Sequence, residues 1–317
     1  MTVVTEAIDA YLQERSTELS DSSIQNHRYQ LKQFRQWCAD EGIAELESID
    51  PLDLSRFRRA RSKDINSTTM YNQLSVLRLF CKFCARMSWV DDLLAESIVL
   101  PRRDGSSRAD RIDAERVERI IDHLDKYHYA SFNHVIMSLL WTTGMRIGAL
   151  RAIDVSDVHL DDRFIGLHHR PEEGTPLKNA EGSERELNLH GWVNDIVRCW
   201  IEDNRPPHVD INGREALIST EMGGAAARST IRRVVYVLTA CGDVTQGCEC
   251  SEYPSKCPES VSPHDIRRSS ISAWLNRGVD INMLSDRVDS SPSTLERHYD
   301  VRSESEKREA RRDAFNM

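Results

Sequence analysis

Five residues of this chain have the types and the order needed to hold a phosphodiester and cleave it. They are Arg146, within Thr143-Gly-Met-Arg-Ile-Gly-Ala-Leu150; Lys178, in a strand-like stretch; His264 and Arg267, in the box His264-Asp-Ile-Arg267; and Tyr299. A cation cluster stabilises a pentacoordinate phosphate, and a phenol supplies a nucleophile without a metal or a nucleotide. Arg146 and Arg267 each present a rigid fork of donors to non-bridging oxygens and stay charged at any working pH. His264, one turn before Arg267, can hydrogen-bond the phosphate or accept the phenolic proton. Lys178 can protonate a leaving 5′-oxygen. Singly, none is diagnostic: a lone tyrosine is usually a packed aromatic and a lone arginine a surface ion-pair residue. With 11 histidines, one His-x-x-Arg box is what chance supplies, and one occurs. The signal lies in order, spacing and context together.

Helical periodicity dominates the segments that must position these groups. In the first hundred residues a helix runs from Thr5 to about Thr17, carrying Ile8 and Leu12. Asp21 caps a longer one with Ile24, Leu31, Phe34 and Trp37/Cys38 on one face, stopped by Gly42. Asp50-Pro51 starts a short helix to about Ser62. Ser67 caps another, with Met70, Leu74, Leu77, Phe80/Cys81 and Cys84 as its apolar stripe. This reads as a four-helix domain, residues 1–100. Residues 101–111 hold Pro101, Gly105 and basic side chains and read as a linker. Residues 112–317 form the second domain: helices Asp113–Lys126 and Phe132–Thr142, strands Phe164–His169 and Glu186–His190 with glycine turns near Gly174 and Gly182, then helices Val193–Glu202, Ala225–Ala240, Asp265–Asn276 and Ile281–Arg287. The fold class is mainly α with a small antiparallel sheet.

At 317 residues, two domains are expected. No apolar run approaches a membrane span, and the N-terminus does not read as a signal peptide, so a cytoplasmic location and no membrane partner follow. The net charge of −9 argues superficially against nucleic acid. Its distribution does not: Arg56 to Arg111 holds 12 Lys and Arg against 6 Asp and Glu. Only 7 of the 42 basic residues are lysines. An acidic, arginine-rich, lysine-poor chain suits a high-salt cytoplasm, such as that of a halophilic archaeon. There, directed hydrogen bonds to phosphate matter more than net charge.

The combination of motifs resembles the tyrosine recombinase (phage integrase) family over nearly the whole chain. Leu140 to Asp154 resembles the family's first arginine box, with the acidic turn Asp154/Asp157 after it. Leu177-Lys178 and Glu184 to Leu189 resemble the hairpin lysine and its paired strand. Ser262 to Ser270 resembles the second box, and Ser290 to Tyr299 the nucleophile segment. The resemblance implies a helical core-binding domain joined to an α+β catalytic domain. It implies site-specific breakage and rejoining of double-stranded DNA through a 3′-phosphotyrosyl intermediate, in a homotetramer, with no cofactor needed for catalysis. Two positions depart from the pattern. Ala149 stands where the family has an acidic residue. Asp289, with Ser290 as its neighbour, stands where the family has His or Trp, about ten residues before the tyrosine. We include Asp289 in the site as a residue that orients a cation or accepts from Tyr299 through water.

The resemblance also implies DNA contacts: Arg28, Lys32 and Arg35, then Arg78, Lys82 and Arg86, and on a groove-reading helix Arg228, Thr230 and Arg232. Arg268 suits either a DNA contact or a helix cap. Separately, Cys241, Cys248, Cys250 and Cys257 lie within 17 residues of a polar loop and offer a tetrahedral structural zinc site, although Cys241 also suits a core position. Cys81 and Cys84 fall on an apolar stripe and read as core. Other readings are a type IB-like topoisomerase, which shares the chemistry but relaxes DNA as a monomer, and an integrase-derived DNA-binding regulator that no longer cuts.

Overall fold

The computed structural model describes residues 2–102, 112–241, 253–298 and 308. The chain divides into two compact units, Met1–Ser106 and Ser107–Met317.

The first unit is built from α1 (Val4–Arg15), α2 (Asp21–Asp40), α3 (Pro51–Arg61), α4 (Ser67–Arg86) and the single turn α5 (Leu93–Glu96). The apolar stripes of α2 and α4 face each other, burying Leu31, Phe34 and Phe80, and Phe57 of α3 packs edge-on against Phe34 and Trp37. The hydroxyl of Ser20, one residue before the expected Asp21, accepts from the Ser23 amide; Asn66, one before the expected Ser67, accepts from the Thr69 amide. Asp50 begins α3 as expected, in a reciprocal box with Asp53 and with Pro51 in the first turn.

The second unit holds α6 (Ala114–Tyr127), α7 (Phe132–Thr143), α8 (Ile147–Ala152), α9 (Gly191–Cys199) running into a π turn at Trp200–Asn204, α10 (Arg228–Thr239), α11 (Pro263–Asn276), α12 (Ile281–Val288) and α13 (Pro292–His298). Three strands, β1 (Val158–His159), β2 (Phe164–Leu167) and β3 (Arg185–Asn188), form an antiparallel sheet in that order. Every α7 residue from His134 to Thr143 is buried, so α7 is the axle on which α6, α9, α10 and α11 pack. A second, smaller cluster joins Ile271 and Leu275 of α11, Leu284 and Val288 of α12, and Leu295 of α13. The chain after α8 is pinned by buried ion pairs. Arg214 reaches both oxygens of Asp154 at 2.8 and 2.9 Å, and Arg170 reaches Asp157 Oδ1 at 2.7 Å. Among the described residues, no helix is long and apolar enough to cross a membrane.

Candidate active site

The end of α7 sets the site. Gly144 adopts a left-handed conformation, φ +61°, and ends the helix. A Cβ there would stand 3.0 Å from Trp274 Cζ3 and 3.3 Å from Val288 Cγ1, so the position needs glycine for space as well as for conformation. The chain then turns directly into α8, with Arg146 as the residue preceding its first turn. From α11, Arg267 reaches back under this turn. It is only 2% exposed, and its guanidinium donates to the Gly144 carbonyl at 2.7 Å and to the Val288 carbonyl at 2.7 Å. Arg146 donates to the next residue along, Asp289, at 2.5 Å to Oδ2 and 2.6 Å to the backbone carbonyl. The two arginines, 121 positions apart in sequence, therefore converge on the same pair of chain segments, 144–146 and 288–289.

Asp289 is the hub of the arrangement. It ends α12 with φ +51°, a conformation that Asp tolerates better than most residues. Besides Arg146, its carboxylate accepts from Ser183 Oγ at 2.7 Å and from Asn179 Nδ2 at 2.8 Å. Burial works against ionisation, but the bonds from Ser183 and Asn179 and the charges of Arg146 and Arg185 outweigh it and hold the carboxyl below its usual range. Asn179 and Ser183 belong to the loop between β2 and β3. Lys178 sits in that loop, exposed, beyond the ends of the regular strands.

Arg185, at the start of β3, donates to the Arg287 carbonyl at 2.8 Å and to the Ser183 carbonyl at 2.7 Å. Burial pushes its pKa down to about 10; Asp289 opposes this, while Arg267 and Arg146 add to it. Arg287 donates to the Thr142 carbonyl at 2.9 Å and lies over the Trp274 ring. His264 lies in the first turn of α11, behind a Ser262/Asp265 capping box, with an exposed face. Partial burial, then the charges of Arg267 and Arg268, lower its pKa, with Arg146 contributing and Asp265 opposing. The shift favours the neutral imidazole, the form able to accept a proton.

The structure thus brings Arg146, Arg267, Asp289 and the loop carrying Lys178 together. Tyr299 lies outside the described residues. The helix leading to it, α13, is anchored by the fully buried Leu295 against α11 and α12. Arg185, Arg287, Asn179 and Ser183 were not expected as site residues. Their contributions run through backbone carbonyls or through one unusual acid, and no residue pattern announces such bonds.

Of the expected DNA contacts, Arg28, Lys32, Arg35 and Lys82 are exposed on α2 and α4, and Arg78 is half-buried. Arg86 is exposed but ion-paired with Glu14 and lies over the Phe83 ring. On α10, Arg228 and Arg232 are exposed and Thr230 is half-buried. Of the cysteine loop, Cys248 and Cys250 lie outside the described residues. Cys257 is buried, and its sulfur accepts from the Cys241 amide at 3.1 Å. Among the described residues, no three acidic, His or Cys side chains group to hold a metal. Cys81 and Cys84 are buried, and burial pushes the Cys81 thiol up to about 12 and raises that of Cys84 as well, as core packing requires.

Comparison with known proteins agrees with this architecture. The sequence model of the phage integrase family matches residues 110–304, and that of the phage integrase N-terminal SAM-like domain matches residues 8–88. The tyrosine recombinase XerD of Oceanobacillus iheyensis is 21% identical over 273 residues, covering 85% of this chain and 84% of that protein. The tyrosine recombinase XerC of Bacillus subtilis is 20% identical over 270 residues, covering 84% and 81%. In structure, the chain resembles the Tn1549 transposon integrase in complex with a circular intermediate DNA, with a TM-score of 0.72 at 14% identity over 99% of this chain and 100% of that one. It also resembles a lambda integrase dimer bound to a COC′ core site, with a TM-score of 0.67 at 13% identity over 92% and 97%. The chain belongs to the phage integrase family.

Proposed function

We propose that this phage integrase family member is a site-specific DNA recombinase that cuts and rejoins duplex DNA through Tyr299. The phenolic oxygen attacks the scissile phosphorus, the bond from phosphorus to the 5′-oxygen breaks, and a 3′-phosphotyrosyl link forms. Arg146 and Arg267 hold the non-bridging oxygens, His264 accepts the phenolic proton, and Lys178 delivers a proton to the departing 5′-oxygen. Attack by a 5′-hydroxyl from another strand reverses the step, so exchange needs no ATP and cleavage needs no cofactor. The observation that carries this reading is the convergence of both arginine forks on residues 144–146 and 288–289. Both guanidinium groups are fixed there by protein acceptors, Arg146 by Asp289 and Arg267 by the Gly144 and Val288 carbonyls, and His264 stands on the turn that bears Arg267.

In this reading residues 1–100 form the core-binding domain, 101–111 the linker and 112–317 the catalytic domain. Arg28, Lys32, Arg35, Arg78, Lys82 and Arg86 on the first unit, and Arg228, Thr230 and Arg232 on α10, contact DNA. Four copies assemble on one pair of sites in a cytoplasm; the acidic, lysine-poor composition is what supports a salty one, as in halophilic archaea. A structural zinc held by Cys241, Cys248, Cys250 and Cys257 is a separate proposal, supported by the bond from the Cys241 amide to the Cys257 sulfur. Zinc content of purified wild type against Cys257→Ser, by elemental analysis, tests it: equal content in both removes the proposal.

The function is tested by incubating the protein with a pool of nicked duplexes of randomised sequence, in which the released fragment diffuses away and traps the adduct. Denaturing gels are expected to show a covalent protein–DNA band in wild type and none in Tyr299→Phe. Tight DNA binding with no adduct at any salt concentration would replace the recombinase by a DNA-binding regulator.

A further inference from the structure

The geometry points to Asn179 and Ser183 as positioning residues that, by clasping the Asp289 carboxylate, hold the Lys178 loop against the arginine site; this rests on the role of Lys178 as proton donor proposed above. Lys178 is exposed, in a loop that crosses between β2 and β3, so the strands alone do not fix it. Upstream, the loop is tied at Leu177, buried, whose amide donates to His169 Nδ1 at 3.0 Å. Downstream, the residue after Lys178 is tied twice. The Asn179 amide donates to Ser183 Oγ at 3.2 Å, and its side chain donates to Asp289 Oδ1 at 2.8 Å. The Ser183 hydroxyl, itself buried, donates to Asp289 Oδ2 at 2.7 Å.

The same Oδ2 accepts from Arg146 at 2.5 Å. One carboxylate thus spans the phosphate-holding arginine and the loop of the proton donor. Because consecutive Cα atoms are about 3.8 Å apart, fixing Asn179 confines the backbone of Lys178 to a small volume beside Arg146. The arrangement gives Asp289 a physical reason to be an acid. Only an ionised carboxylate can accept from Arg146, Asn179 and Ser183 together. The side-chain hydrogen bonds of Asn179 and Ser183 run to Asp289 and between the two residues, so changing them loosens the lysine loop while Arg146 keeps its bonds to Asp289 and Arg267 its bonds to the Gly144 and Val288 carbonyls.

The test separates proton delivery from phosphate holding. Two nicked duplexes are prepared that differ only in the bridging atom of the scissile link, 5′-oxygen in one and 5′-sulfur in the other. A thiolate departs without being protonated, so the sulfur duplex does not need Lys178. The Asn179→Ala/Ser183→Ala double variant is expected to bind DNA as wild type does. Its adduct formation on the oxygen duplex should be about tenfold slower or worse, and on the sulfur duplex it should return to within about threefold of wild type. Lys178→Ala should show the same pattern more steeply, and Arg146→Ala should be slow on both duplexes. A double variant as fast as wild type on oxygen, or slowed equally on both duplexes, overturns the inference. Absence of any adduct from wild type on both duplexes would instead overturn the recombinase reading on which it rests.

Discussion

Replacing Gly144 with alanine strikes the point on which both arginines depend. Two costs add. The backbone sits at φ +61°, where a side chain is disfavoured by about 1–2 kcal/mol. The new methyl group would also press on the Trp274 ring at 3.0 Å and on Val288 at 3.3 Å, in a region packed on both sides, which adds about 1–3 kcal/mol. The sum, about 2–5 kcal/mol, corresponds to a fall in melting temperature of roughly 4–20 °C for a unit of this size. Gly278 is the internal control. It lies in the same unit at φ +84° with nothing within 4 Å of its Cβ position, so Gly278→Ala bears the conformational cost alone. Relief of the Gly144 clash moves the carbonyl that accepts from Arg267 and the chain leading into Arg146, so adduct formation should fall about a hundredfold, whereas Gly278→Ala should cleave normally. Calorimetry and the suicide-duplex gel measure the two effects. Equal melting temperatures for the two variants, or normal cleavage by Gly144→Ala, would refute the view that this turn sets the site.

Further outcomes follow from charge and burial. His264 has its pKa lowered by burial and by Arg267 and Arg268, so it stays neutral as pH falls to its ordinary value and charges only below it; the rate of adduct formation should be flat near pH 7 and decline on the acid side. Arg268→Gln removes one of those charges and should move the decline to higher pH, and an unchanged profile would exclude His264 as the proton acceptor. Arg214→Ala leaves the buried Asp154 carboxylate, which it grips through two nitrogens, with only the longer 3.8 Å contact to Arg170, and should destabilise the second unit by about 3 kcal/mol in denaturant titration. Lys32→Ala should weaken binding to all duplexes alike and reduce the slope of log affinity against log salt by about 1, as loss of a single phosphate contact does.

The two arginine boxes were legible in the sequence because each is local: a helix end with glycine, or a proline-capped first turn, fixes its arginine by nearest neighbours alone. The long helices were legible from their apolar spacing. Both cap assignments that missed did so by one residue, because Ser20 and Asp21, or Asn66 and Ser67, are equally good acceptors and only the backbone decides between them. Strand β1, two residues long, and helix α8, six residues, carry too little periodicity to be seen and exist through tertiary pairing. The Asp289 hub was legible as an odd residue at a notable place but not as a clasp. Its partners Asn179 and Ser183 lie more than a hundred positions away and look like ordinary turn residues.

The most direct test of the whole account is chemical identification of the trapped adduct. After nuclease and protease digestion, mass spectrometry is expected to find a nucleotide joined through its 3′-phosphate to the peptide containing Tyr299, with a kinasable 5′-hydroxyl on the released strand. Attachment to any other residue, or a 5′-phosphate on the released strand, would contradict it.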